Sequence, residues 1–218
     1  MQHDHAEHDH AGVPPPHTRP VIPWNKGRLI GPKPPLKPGQ VWAVRFHLQR
    51  EQRLRDLALF DLAVGSKLRG CDLVRLTVGQ LAVSGIARHR ATVIQRKTEQ
   101  PVQLELTGQT RDSVLAWLEL RGGTLDDHVF PSRSRRGQRL STRQYASLLG
   151  EWVEAVGLGW SAYGTHSPSR TKVALVHERT GNLRAVQILL GHTKLESTVR
   201  YLGVAAEDAL TLSEATEI

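Results

Sequence analysis

The 218-residue sequence has one cysteine, Cys71, which excludes an intrachain disulfide and a cysteine-rich zinc site. It has no apolar run long enough for a membrane helix. The opening MQHDHAEHDHAG has neither the cationic nor the apolar block of a secretory signal. These absences predict a chain that works in a reducing cytoplasm. No G-x-x-x-x-G-K-[ST] loop is present, so chemistry driven by a nucleotide is not indicated. Clustered carboxylates are also missing: Asp126-Asp127 and Glu207-Asp208 are adjacent pairs without a nearby partner set. No repeat of roughly 20–50 residues is visible.

What is abundant is positive charge. There are 29 Lys and Arg against 21 Asp and Glu, a net charge of +8. The first twelve residues hold Asp4, Glu7 and Asp9 but no Lys or Arg, so the rest carries +11. Such a field favours a polyanionic partner, either nucleic acid or an anionic surface. Composition alone leaves a basic ribosomal protein and a membrane-peripheral protein open.

Residues 1–40 read as a flexible His- and Pro-rich tail. His3, His5, His8 and His10 alternate with acidic residues, and nine of the twelve prolines lie between Pro14 and Pro38. Nothing fixes those imidazoles in a metal-binding geometry, so a solvated terminus is the expectation. From Val41 the pattern turns globular. A helical run covers 54–64, a short helix starts near Cys71, and strands at 92–96 and 101–106 flank a turn at KTEQ. Helices are expected again at 114–120, 145–158, 168–180, 182–190 and 194–202. Ser167 with Pro168 reads as a helix cap followed by its first turn, and Thr193 to Glu196 as a capping box. The predicted class is mainly α with a small antiparallel β-sheet, one domain at 41–212 and a short tail at 213–218.

Metal-free chemistry on a phosphodiester needs a protein nucleophile, arginines for the growing phosphate charge, and Lys or His as proton donors. Suitable residues occur in order. Arg69 stands in GSKLRGCDLVRL, Lys97 in VIQRKTEQPVQLEL, His166 in YGTHSPSRTK, and His192 and Tyr201 in LLGHTKLESTVRYL. Singly, each has an ordinary reading as a solvated cation, a helix cap or a half-buried ring. Together they resemble the catalytic domain of the tyrosine recombinase, or phage integrase, family. There an arginine follows a helix and a lysine sits on a β-hairpin. His-x-x-Arg and a His after Leu-Gly come next, with Tyr nine residues beyond that His. The resemblance spans roughly 50–205.

That resemblance implies a double-stranded DNA partner, self-association on DNA, association with the nucleoid, and no cofactor. It implies that Tyr201 attacks the scissile phosphate, leaving a 3′-phosphotyrosine and a free 5′-hydroxyl. Arg69 would hold the non-bridging oxygens and Lys97 would protonate the departing oxygen. His166 and His192 would orient the phosphate and assist proton transfer. The cations Arg133, Arg135, Arg136, Arg139 and Arg143 of PSRSRRGQRLSTR would contact DNA phosphates without reading sequence.

Two features depart from the family pattern. The second family arginine, three residues after His166, is Ser169, and Arg170 follows it. On a helix, i+3 lies about 60° from i on one side and i+4 about 40° on the other, so Arg170 approaches the same place differently. Losing a charge-stabilising group costs about 100- to 1000-fold in rate, so weakened catalysis is the expectation. The rival expectation is a DNA-binding relative without catalysis. The second departure is the front: 40 proline-rich residues are too few for the helical clamp that usually precedes the catalytic domain.

Overall fold

The computed structural model describes residues 33–133, 137–192 and 194–202. The histidines at 3–10, most of the proline-rich stretch, Arg135, Arg136, Thr193 and the tail at 213–218 lie outside the described residues.

Helix α1, Pro38–Arg50, begins three residues before the expected boundary at 41. Pro38 at its start gives up no hydrogen bond there, and Gln40 Oε1 accepts from Lys37 N at 2.8 Å. Helix α2, Leu54–Gly65, is buried on nearly every side, as expected for a helix at the centre of a domain. It packs against α1, against α5 (Gly108–Arg121) and against α7 (Ser167–Thr180). Its buried carboxylates are matched by cations. Asp61 meets Arg45 Nε at 2.6 Å, and Asp56 meets Arg53 and Arg55.

Two short helices follow: α3, Gly70–Leu73, and α4, Val78–Leu81. Strands β1, Ala82–Val83, and β2, Ile86–Ala87, form one small antiparallel ribbon. Strands β3, Arg90–Ile94, and β4, Pro101–Glu105, form a second, in register from Arg90 opposite Glu105 to Ile94 opposite Pro101. Burial alternates along both strands of this hairpin, so Ala91, Val93, Val102 and Leu104 face inward. After α5 comes α6, Thr142–Ala155, whose capping box joins Ser141 and Gln144 at 3.1 and 2.9 Å. Its inward face carries Tyr145, Leu149, Trp152 and Val153, and Trp152 meets Phe60 edge-on at 5.9 Å. Helix α7 precedes α8, Leu183–Leu190, and α9, Leu195–Leu202.

The mainly α class with small antiparallel sheets is the observed one. One local expectation fails. Ser167 is inside α7, and His166 holds the cap position without a side-chain cap. Ser167 Oγ instead accepts from Gly164 N at 3.2 Å, turning back to the preceding loop.

Candidate functional site

Arg69 lies in the extended connection between α2 and α3, with φ −66° and ψ 148°. The next residue is glycine for a steric reason: a Cβ on Gly70 would sit 3.0 Å from Tyr145 Cε1. The Arg69 backbone is thereby held close to α6. Its Nη1 donates to Gln95 Oε1 at 3.2 Å.

His166 begins α7, and three residues on, the buried Ser169 faces Tyr201 from α9. The two hydroxyls lie 2.7 Å apart. Ser169 Oγ is also placed to donate to His166 O at 3.1 Å, and either hydroxyl can be the donor in the shorter contact. Arg170 lies over the Tyr201 ring, its Cζ 4.9 Å from the centroid, and Nη1 donates to Lys33 O at 2.5 Å. Arg170 is thus occupied on two sides, while its Nε is buried without a hydrogen-bond partner among the described residues. His192 meets Tyr201 edge-on at 5.6 Å, and its Nδ1 lies 3.1 Å from Thr198 Oγ1.

The electrostatics follow from this crowding. Burial, then the positive charges of Arg170 and Arg69, holds His166 below its ordinary imidazole value. Burial and Arg69 do the same to His192. Both rings are therefore neutral at pH 7. Burial pushes the Tyr201 phenol up, opposed by the Ser169 hydrogen bond and by Arg170 and Arg69. The arrangement is a protonated phenol among two guanidinium groups and two neutral imidazoles. It has the groups to attract an anion, supply an oxygen nucleophile and accept a proton.

Of the expected site residues, Arg69, His166, Arg170, His192 and Tyr201 converge. Lys97 does not join them here. It is exposed in the turn that follows β3. Arg133 and Arg143 are exposed, and Arg139 helps line a polar cleft of about 490 Å³ with His128, Ser132, Ser141 and Gln144. Two polar residues were missed in the sequence. Asp72 is buried, and its Oδ1 accepts from Arg96 N at 2.9 Å, tying α3 to the Lys97 turn. Gln95 continues the inward-facing row of β3, and a polar side chain at such a position is a readable signal. Cys71 is half-buried.

An ordered set of Arg, His, His and Tyr brought together by a helical domain with a β-hairpin defines a class, and comparison with known proteins agrees. The Phage integrase family matches residues 40–208. The chain belongs to this family, that of the tyrosine recombinases. Tyrosine recombinase XerC of Actinobacillus pleuropneumoniae serotype 7 (strain AP76) is 31% identical over 150 residues, 68% of this chain and 47% of that protein. XerC of Neisseria gonorrhoeae (strain ATCC 700825 / FA 1090) is 30% identical over 148 residues, with the same shares covered. The chain thus spans about half the length of these relatives. Among solved structures, XerA recombinase superimposes with a TM-score of 0.68 at 15% identity, covering 87% of this chain and 66% of that one. XerH bound to its difH substrate in a pre-cleavage complex gives 0.66 at 15% identity, covering 86% and 56%. No helix among the described residues is long and apolar enough to cross a membrane.

Proposed function

We propose that this chain is a site-specific DNA recombinase or integrase that breaks and rejoins strands through a 3′-phosphotyrosine at Tyr201, with catalysis weakened at Ser169. The observation that carries the reading is the Tyr201 hydroxyl among Arg69, Arg170, His166 and His192, 2.7 Å from Ser169 Oγ. Residues 41–212 act as the catalytic domain, between a tail at 1–40 and a tail at 213–218.

In this reading the phenol oxygen attacks phosphorus and the bond to the 5′-oxygen breaks. Neutral His192 or His166 takes the phenol proton, and Lys97 gives one to the departing oxygen once the hairpin turn closes on DNA. Arg69 and Arg170 attract the non-bridging oxygens as their charge grows. Arg133, Arg135, Arg136, Arg139 and Arg143 contact backbone phosphates, and copies associate on the duplex. The bond energy stays in the phosphotyrosine, so rejoining needs no cofactor. The protein acts in the cytoplasm at the nucleoid.

The test is covalent capture on a nicked suicide duplex. An adduct is expected that resists EDTA and disappears in Tyr201→Phe, while salt-sensitive DNA binding persists. An adduct that survives Tyr201→Phe, or one that needs a divalent metal, overturns the mechanism. The second reading, a DNA-binding relative without cleavage, is favoured by one observation: Ser169 replaces an arginine and occupies the nucleophile's hydroxyl. That reading expects salt-sensitive binding with no adduct.

A further inference from the structure

Gln95 follows β3 on the buried side of the hairpin, next in the inward row after Ala91 and Val93. It is 3% exposed. A primary amide buried this far costs stability unless its donors and acceptor are used. Here its oxygen and one of its N–H groups are used, by three different parts of the site. Gln95 Oε1 accepts from Arg69 Nη1 at 3.2 Å and from Thr98 Oγ1 at 2.9 Å. Gln95 Nε2 donates to Leu190 O at 3.5 Å. Its backbone closes the Lys97 turn as well: Gln95 N donates to Gln100 O at 3.0 Å, and Gln95 O accepts from Glu99 N at 2.8 Å. One residue therefore touches the Arg69 connection, the turn that carries Lys97, and the end of α8 two residues before His192.

Gly191 lets the last of these parts come near. Its φ is +64°, and a Cβ there would lie 2.7 Å from Val102 Cγ2 and 3.8 Å from Gln95 Oε1. Only a residue without a side chain lets the turn before His192 rest on the hairpin this closely.

We infer that Gln95 is a positioning residue for the phosphate site, orienting Arg69 and joining it to the Lys97 and His192 turns. Its catalytic consequence rests on the phosphotyrosine reading, whereas its hold on Arg69 does not. The residue type suits the task. A neutral amide oxygen fixes one arm of the guanidinium fork and leaves its full charge for a phosphate. A carboxylate in the same place would hold the arm and cancel the charge. An aliphatic side chain of equal length would fill the space and hold nothing.

The experiment compares the full-length parent with Gln95→Met and Gln95→Glu. In the DNA-free protein, ¹⁵N NMR follows rotation of the Arg69 guanidinium, assigned through Arg69→Lys. On a nicked suicide duplex at saturating DNA, single-turnover adduct formation is timed, alongside duplex affinity and thermal midpoint. Gln95→Met is expected to speed guanidinium rotation and to slow adduct formation by about 10-fold, with affinity and midpoint close to the parent's. Gln95→Glu is expected to slow rotation and to slow adduct formation further. A role in packing alone predicts that Gln95→Met matches the parent in both readouts, and that result overturns the inference. If the parent forms no adduct, the phosphotyrosine reading fails, and the NMR comparison still decides whether Gln95 holds Arg69. Unchanged rotation in Gln95→Met removes the inference in that case too.

Discussion

Among the described residues, the two halves of the candidate site are supported by very different amounts of core. Arg69 extends from the main cluster, in which Leu57, Phe60, Leu62, Leu73, Val93, Leu104, Tyr145 and Trp152 pack together. Tyr201 belongs to a small one, in which Val173, Val186 and Leu190 meet Val176, Tyr201 and Leu202. Burial of apolar area sets how much a region resists opening, so the small cluster is the weaker. In the proposed mechanism the difference separates two demands. Groups that stabilise charge work best when fixed before the reaction, which the large core provides. In the proposed mechanism Tyr201 must leave Ser169 to reach a phosphate, which the small cluster permits.

The comparison breaks if the two regions lose stability alike. Phe60→Ala is expected to have the largest effect, about 3–5 kcal/mol across the whole domain, because it opens a cavity beside Trp152. Urea unfolding followed by fluorescence and by circular dichroism should show one lowered midpoint with both probes. A loss under about 1 kcal/mol would mean that this core is not the dominant one.

Ser169→Arg probes the joint between the regions. An arginine there needs the space where the Tyr201 hydroxyl rests, so α9 must yield. The expected result is about 100-fold faster single-turnover cleavage, near 3 kcal/mol of transition-state stabilisation. If Arg170 already fills the role, Ser169→Arg changes little and Arg170→Ala abolishes cleavage. A DNA-binding relative without catalysis shows no adduct in any variant. A parent that is fast, and slowed by Ser169→Arg, would show the second arginine to be misplaced.

The ammonium of Lys67, just after α2, is lowered to about 8, chiefly by burial and secondly by the charge of Lys172 of α7, with Glu105 of β4 opposing. The folded chain sheds this proton before the unfolded chain does. Stability therefore rises with pH from about 8 to about 10, by about 2 kcal/mol. Lys67→Met should flatten that rise in chemical denaturation at a series of pH values. An unchanged slope would place Lys67 in solvent. The smallest effect is expected for Val186→Ala, about 1.5 kcal/mol from two lost methylene equivalents. Hydrogen exchange should quicken in α8 and α9 and leave α2 as in the parent. Equal quickening in both would erase the contrast.

Much of the fold was legible because its signals are local. The run at 54–64, the strands flanking KTEQ and the helices at 168–180 and 182–190 each carry a period or a breaker that needs no distant partner. Helix α1 was missed because Trp42 and Phe46 are exposed while Val41, Val44 and Leu48 are buried, so its apolar residues do not mark one face. The ribbon of β1 and β2 was missed because two residues per strand make no alternation. Ser167 misled because a serine before proline suits a cap equally well one position earlier.

The sequence by itself determined the order of Arg69, Lys97, His166, His192 and Tyr201, the serine three residues after His166, and the helical class, since all three are read from residue type and spacing along the chain. Tertiary structure alone decided which groups meet. Ser169 touches a tyrosine 32 residues away, and Gln95 joins Arg69 to Leu190, 26 residues back and 95 residues ahead. Those contacts depend on how α7 and α9 dock and on how closely Gly191 lets the hairpin approach. Docking is set by side-chain packing between distant segments, which no local period encodes.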